Sequence, residues 1–314
     1  MSDSNQVKVR YIEEVTLGET PVDSNNWKET RYTSETLTAS PETTTSQEIR
    51  SDRAIQDMYK VNESITGGFN FELSANTYDD FFEAVLAGTW TADTGFDTLE
   101  QGNLYRSYTI EKEFSDIGRF IQFKGMRAGT MSLDLAFGSI ITGSVMFAGT
   151  GGVTATTSLV GVGSSEALTS TTAMNASSDV GSVKIDGLET DICINTLSFT
   201  MENNLRAINC IGKAAPKDQR LGTCNITGSA GMYLTAESFA LYEKALLNGD
   251  ISLEYTVTDG TNSYTFLLPR VKLSGDAPQS GGLDQDVMFT ANFTALIDTV
   301  ENTPIRITRT PNVV

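Results

Sequence analysis

Apolar positions along this chain follow two periods, and one stretch runs through both in succession. Phe69, Phe71 and Leu73 alternate with Gly68, Asn70 and Glu72, the period of a strand buried on one face. Tyr78, Phe81, Phe82, Val85 and Leu86 then fall at i, i+3, i+4, i+7 and i+8, which predicts one short amphipathic helix. Thr77 or Asn76 is the expected N-cap, and Asp79 and Asp80 stand in the first turn, where the helix dipole favours anions. Gly88 is the expected C′ residue. The whole stretch from Ser64 to Thr89 lies without a gap on Asn225 to Asp250, at a shift of 161 positions. From Ile65 onward eight of 25 pairs are identical, where composition alone would give roughly two. Phe71 becomes Met232, Tyr78 becomes Phe239, and Gly249 ends the second helix as Gly88 ends the first. The pattern therefore predicts two related units.

Around these cores the patterning is weaker. Met1 to Ser34 reads as an arm, with Val7, Val9, Tyr11 and Val15 alternating weakly and a turn-like Pro21 to Asn26. Glu35 to Ala39 is an expected strand, matched by Asn195 to Phe199 with Leu37 over Leu197. A long polar connection follows in each unit, Ser40 to Glu63 and Met201 to Thr223. Structureless loops above ~12–15 residues are uncommon in compact domains, so their recurrence favours function over a solvated hairpin. Trp90 to Asn103 reads as loop. Strands are expected at Arg106–Lys112, Arg119–Lys124, Thr130–Ala136 and Thr142–Ala148. In the second unit they are expected at Ile251–Thr258, Asn262–Leu268, Val271–Ser274 and Asp286–Ala295, with a hairpin turn at Asp259-Gly260. Gly149 to Gly181 is rich in Gly, Ser, Thr and Ala and reads as a linker of ~110 Å reach at most, so the units need not touch. The expected fold is mainly β or α+β: two tandem β-sandwich or barrel units, each with one flanking helix and a long loop. Their bounds are an arm plus first unit at 1–148, a linker at 149–182 and a second unit at 183–314.

Charge narrows the function. The chain carries 22 basic and 40 acidic residues, a net −18 with pI near 4.3, and both halves are acidic. Such a surface does not hold nucleic acid through phosphate contacts, which need Lys/Arg clusters. It can still face DNA across a repulsive gap. There is no histidine, which removes Ser-His-Asp catalysis, zincin sites and the commonest metal ligand. Cys193, Cys210 and Cys224 form no C-x-x-C and read as buried or half-buried free thiols of a reducing compartment. The first six residues lack an apolar signal core, and no run approaches ~18 apolar residues, so a soluble cytoplasmic product is expected.

The paired acids Glu13-Glu14, Asp79-Asp80 and Asp284-Gln-Asp286 are the obvious catalytic candidates. A glycosidase needs two carboxyls at a set separation, one with a raised pKa in an apolar setting, and neighbouring acids on a helix start or strand do not supply that. Gly149-Thr-Gly-Gly152 and Gly161-Val-Gly163 lack the helix and Lys of a phosphate loop. Asp259-Gly-Thr-Asn262 is a turn rather than a calcium loop, and the Asn-x-Ser/Thr triplets at Asn62, Asn175, Asn225 and Asn292 carry no weight in a cytoplasmic protein. No catalytic residue, cofactor or metal site is expected.

Trp27-Lys-Glu-Thr-Arg-Tyr-Thr-Ser-Glu-Thr-Leu37, Gln47-Glu-Ile-Arg-Ser-Asp-Arg53, Phe69-Asn-Phe-Glu-Leu73, Tyr78-Asp-Asp-Phe-Phe-Glu-Ala84 and Gly88-Thr-Trp90 resemble a family of known proteins. Tyr108-Thr-Ile-Glu-Lys112, Phe123-Lys-Gly-Met-Arg127, Thr142-Gly-Ser-Val-Met-Phe147, Ala173-Met-Asn-Ala176 and Gly282-Leu-Asp-Gln-Asp-Val-Met288 continue the match in order. The family is that of the tail tube (major tail) proteins of bacteriophages with long non-contractile tails. The resemblance implies a structural virion protein made of β-sandwich tube folds, six to a ring. The rings stack around a tape measure protein, with tail terminator and distal tail proteins at the ends, and the acidic lumen passes DNA without binding it. Two tube-like units per chain then suggest a homotrimeric, pseudo-hexameric ring, with a homohexamer as the alternative. Repulsion reaching only ~8 Å at physiological salt suits the lining of a bore. By the same resemblance the two long loops would meet the next ring, with Glu48, Arg50, Asp52, Arg53, Lys217, Asp218 and Arg220 as candidate contacts. Copy two lacks the Asp-Asp helix start, having Ala240-Leu241, so the two units are not expected to be interchangeable. The expected place is the virion tail, assembled in host cytoplasm, with no membrane partner and no enzymatic activity. The competing readings are a tail adhesin or decoration protein that binds the host surface, and a carboxylate-only glycoside hydrolase.

Overall fold

The computed structural model describes residues 2–21, 26–161, 165–186, 188–189, 192–280 and 282–311. The N-terminal half opens with β1 (Val7–Glu13), β2 (Trp27–Glu29) and β3 (Ser34–Glu35). A hairpin of β4 (Thr38–Thr45) and β5 (Met58–Glu72) leads into helix α1 (Asp79–Leu86). Next come β6 (Thr91–Ala92), β7 (Asp97–Glu100), β8 (Tyr108–Phe114), β9 (Arg119–Ala136), β10 (Thr142–Ala148) and β11 (Gly151–Ala155). After β12 (Ser165–Glu166), β13 (Val180–Ile185) and β14 (Leu188–Glu189), the C-terminal half builds β15 (Ile194–Glu202), β16 (Arg206–Ile208), β17 (Asp218–Arg220) and β18 (Asn225–Tyr233). Helix α2 (Ala236–Leu246) and β19 (Asp250–Thr258), β20 (Ser263–Ser274), β21 (Met288–Ala295) and β22 (Arg306–Thr310) complete it. The fold is mainly β, as expected.

Both halves use one order of strand pairing. In the first it runs β4–β5–β10–β9–β8–β1, and in the second β15–β18–β21–β20–β19–β13, every step antiparallel. β11 flanks the leading half of β9, and β22 flanks the leading half of β20. α1 rests on β9 and α2 on β20. In the first half Tyr11, Phe69, Phe81, Tyr108 and Phe147 form one aromatic cluster, with centroids 4.7 to 6.5 Å apart. Each such ring contributes about 1.5–3 kcal/mol by leaving water. Phe199, Tyr255 and Phe266 do the same in the second, where Tyr255 stacks on Phe266 at 4.9 Å.

Several expectations change once pairing is visible. The presumed arm is structural: β1 pairs along its whole length with β8, and Val9, Tyr11, Ile12 and Trp27 are buried. Trp90–Asn103 is not all loop, because β7 pairs with β22 and Leu99 is buried. Arg119–Lys124 and Thr130–Ala136 are one strand, β9, which bends where Gly125 takes φ +62°; a Cβ there would meet Thr150 Oγ1 at 2.1 Å. The presumed linker is fastened to the first half. β11 pairs with β9, Glu111 accepts from Ser158 Oγ and Leu159 N–H, and Met174 is fully buried. Part of Gly161-Val-Gly163 and of Pro21–Asn26 lies outside the described residues.

The helix ends also differ from expectation. Tyr78 rather than Thr77 or Asn76 is the N-cap of α1, with no side-chain cap bond, because the Thr77 hydroxyl is engaged with Ser74 and Thr169. Ala87 and Asn248 take the left-handed positions, one residue before Gly88 and Gly249. Gly88 is needed for another reason: its Cβ would meet Glu100 O at 2.1 Å. By register, Thr38 faces Thr66, and Thr200 faces Thr227, the repeat counterpart of Thr66. Leu37 therefore corresponds to Phe199, two residues on from Leu197 and on the same strand face. Cys193 and Cys210 are exposed and only Cys224 is half-buried, so the expectation of buried thiols fails for two of the three.

Candidate functional site

The two halves meet in a built seam rather than across a free linker. β15, the first strand of the second sheet, pairs with the trailing half of β9 from Thr196↔Ala136 to Glu202↔Thr130. A second ladder joins β22 to β7, from Arg306↔Glu100 to Arg309↔Asp97. At the end of this second ladder lies a buried ionic cluster. Arg309 bonds Asp79 at 2.6 Å and Asp97 at 2.7 Å, and its guanidinium stacks 4.4 Å over Trp90. The Tyr264 hydroxyl donates to the other Asp79 oxygen. Burial pushes the Asp79 carboxyl above its ordinary value, and Tyr264 and Arg309 pull it back. Burial works against the Arg309 charge, but Asp79 and Asp97 outweigh it and hold the guanidinium more basic than usual. Phe82 of α1 adds an apolar contact to Tyr264 and Phe266, at 5.9 and 6.0 Å. One helix-start acid thus serves as the pivot between halves, a role its charge in the first turn did not reveal.

The two long connections end in different places. Ser40–Glu63 is a long hairpin, β4 and β5, whose tip at residues 46–57 carries Glu48, Arg50, Asp52 and Arg53. Arg50 grips Asp52 with two bonds, 3.0 and 2.8 Å, both side chains open to solvent, and Arg53 sits at φ 61°. Around them Ile49, Ile55, Met58, Tyr59 and Val61 are exposed, a concentration of apolar surface unusual for a solvated loop. Met201–Thr223 instead folds back across the first half. Asp218 bonds Arg127 of β9 at 2.9 Å and Arg220 at 2.7 Å, with Tyr105 beneath both guanidiniums. Glu63 N–H donates to Ala214 O, and Gln219 Nε2 to Gly149 O at 3.1 Å. Lys217 and Arg220 stay exposed, whereas Asp218 is committed inside the chain.

Glu13-Glu14 and Asp79-Asp80 have structural roles. Glu13 binds Arg106 at 3.0 Å. Glu14, buried, accepts from Gly18 N–H, Ser107 Oγ, Thr109 Oγ1 and Gly125 N–H, pinning β1 to the bend of β9. Asp80 takes Lys28 at 2.7 Å and the Tyr11 hydroxyl at 3.1 Å. Asp284 and Asp286 are exposed. Asp259 closes its own turn by accepting from Thr261 and Asn262 N–H. A groove of about 860 Å³ is open, and its Glu35 and Lys112 pair with each other. Among the described residues no group of three His, Cys, Asp or Glu is placed to hold a metal ion, and no helix is long and apolar enough to cross a membrane.

A family model for phage tail tube proteins matches residues 4–295. The chain belongs to the phage tail tube protein family. Among curated proteins, none matches it. A tail tube protein is a component of the virion tail that assembles with copies of itself, so the surfaces to explain are assembly surfaces rather than a catalytic cleft. Both long connections lie inside the matched span, as do the seam ladder of β15 on β9 and every strand but β22.

Proposed function

We propose that this tail tube protein carries two tube folds in one chain, at 1–148 and 183–314 joined by 149–182, and that three chains close a pseudo-hexameric ring. The rings stack into the tube of a long non-contractile tail, assembled in the host cytoplasm. They enclose a tape measure protein, and terminator and distal tail proteins close the two ends. The observation that carries this reading is the identical pairing order of the two halves, joined side by side through β9 and β15. A subunit whose halves already sit edge to edge is a third of a ring. The net charge of −18 suits a lumen that conducts DNA during ejection and repels phosphate at short range. The fold acts as scaffold and conduit and performs no catalysis.

The hairpin tip with Glu48, Arg50, Asp52 and Arg53 is the proposed contact with the next ring, because its apolar neighbours are exposed in the single chain. Lys217 and Arg220 present a second charged edge of the subunit, with Asp218 orienting Arg220. Negative-stain microscopy of the purified chain, alone and with tail-tip complex, tests the function. Tubes or stacked rings are expected; compact single particles under both conditions would overturn it.

A further inference from the structure

The seam inside the chain has an unfinished counterpart at each end of it. β15 pairs with β18 on one side and β9 on the other, whereas β4, which holds the same place in the first sheet, pairs only with β5 among the described residues. The orientation of its free edge is fixed. Ile65 O accepts from Gly149 N–H, so Ile65 turns toward β10 and the N–H and C=O of its partner Ala39 point outward. In β15 the equivalent odd-numbered residues face β9: Asn195 O accepts from Phe137 N–H, and Asn203 N–H donates to Gly129 O.

The missing receptor is equally defined. Met131 pairs with Val145, which pairs with Phe69; in the second sheet Ala230 pairs with Ala291, and the ladder Ser274↔Asn292 brings Gly275 beside Ala291. Gly275 thus stands where Met131 stands in β9. Beyond Ser274 the strand stops, although the chain stays along β21 as far as the bridge Gln279↔Met288. Ser274–Ser280 is the segment that corresponds to Thr130–Ala136, the stretch that β15 covers.

We propose that the free edge of β4 adds as a strand to Ser274–Ser280 of a second copy of this chain, repeating between chains the β15–β9 contact made within one. This inference rests on the two-unit ring reading. The register follows: Met131↔Met201 becomes Gly275↔Ala39, Ser132↔Thr200 becomes Asp276↔Thr38, and Thr130↔Glu202 becomes Ser274↔Ser40. The same placement covers the bare side of α2. In α1, Phe82 rests on the next unit and Val85 and Leu86 are 0% and 1% exposed, whereas their repeat counterparts in α2, Leu246 and Leu247, are 67% and 82% exposed. The second copy lays the leading half of its β9 against that face.

Thr38 and Asp276 fall at a non-hydrogen-bonded pair, where Cα atoms approach to about 4.5 Å, within disulfide range. Thr38→Cys with Asp276→Cys, in a full-length background with Cys193, Cys210 and Cys224 replaced, is oxidised after assembly and run without reductant. A covalent trimer, absent from either single variant, is expected. Tubes that form normally with no covalent species overturn the strand addition while leaving the ring reading standing. An open ladder of dimers, tetramers and higher species keeps the strand addition and overturns the ring of three. No assembly and no adduct overturn both. As an independent variant, Ala39→Pro removes the outward N–H while sparing the β4–β5 ladder, in a strand that already holds Pro41. Complete loss of rings with unchanged monomer unfolding is expected, and normal assembly would contradict the proposal.

Discussion

Two edges of this molecule are built from the same strand order and have opposite fates. At the inner seam the trailing half of β9 is covered by β15, α1 is buried, and Arg309 bonds two acids between the halves. At the outer ends β4 has no second ladder among the described residues, the chain after Ser274 loses its strand, and Phe239, Leu246 and Leu247 at α2 are exposed. Propensity contributes, since Ser274–Ser280 carries Gly275, Asp276 and Pro278 where Thr130–Ala136 carries Met131, Leu133 and Leu135. A further difference is that the inner edge has its partner tethered in the same chain.

The largest way to break the inner side is Arg309→Met. It removes the guanidinium that both Asp79 and Asp97 bind and is expected to cost about 3–5 kcal/mol in denaturant unfolding. Burial already raises the Asp79 carboxyl above its ordinary value. Losing Arg309 raises it further, so the folded state of the variant binds the proton more tightly than the unfolded chain. Its stability is therefore best near and below the ordinary carboxylate range and falls as pH rises through the elevated pKa. A deficit that is flat between acid and neutral pH would contradict this account of the cluster.

Next in size is a paired truncation. Phe82→Ala, at the covered helix, is expected to cost about 3–5 kcal/mol through the cavity left against Tyr264 and Phe266. Leu247→Ala, at the bare helix, is expected to leave monomer unfolding within about 0.5 kcal/mol and to weaken tube assembly. Equal effects on the monomer would erase the distinction between the two helices. Reversing charge at both Arg50 and Arg53 should leave monomer unfolding unchanged and shorten tubes or lower their yield; unchanged tubes would remove the hairpin tip from the ring-to-ring contact. The smallest effect concerns the thiols. Cys193 and Cys210 are exposed and should react with a thiol reagent in the folded chain, while Cys224, its thiol pushed up to about 11 by burial, should react only slowly. Three equal rates would place Cys224 wrongly.

What the sequence made legible was local. β10 lies at Thr142–Ala148 as its alternation predicts, and the helical stripe of α1 is buried at each position. The features that escaped depend on distant partners. β1 was obscured because Tyr11 and Ile12 are both buried, which breaks a period of two. β7 was hidden by Asp97 and Glu100, whose charges are answered by Arg309 and Arg306 from the far end of the chain. β9 read as two strands because Lys124-Gly125 marks a bend and not an end. Ser40–Glu63 was legible only as a long polar connection, and the structure makes it the β4–β5 hairpin; nothing in Lys217-Asp218 announces Arg127 as a partner for the second connection. Composition described Gly149–Gly181 as a linker and was silent about the strand partners that hold it.

The central claim is that one chain supplies two places in the ring. Rotational averaging of end-on views of assembled tubes tests it most directly, with the mass per ring measured on the same sample. Threefold modulation of a sixfold outline, with three chains of 33.9 kDa per ring, is the predicted result. A true sixfold average with six chains per ring would contradict it, for one half of every chain would then lie outside the wall.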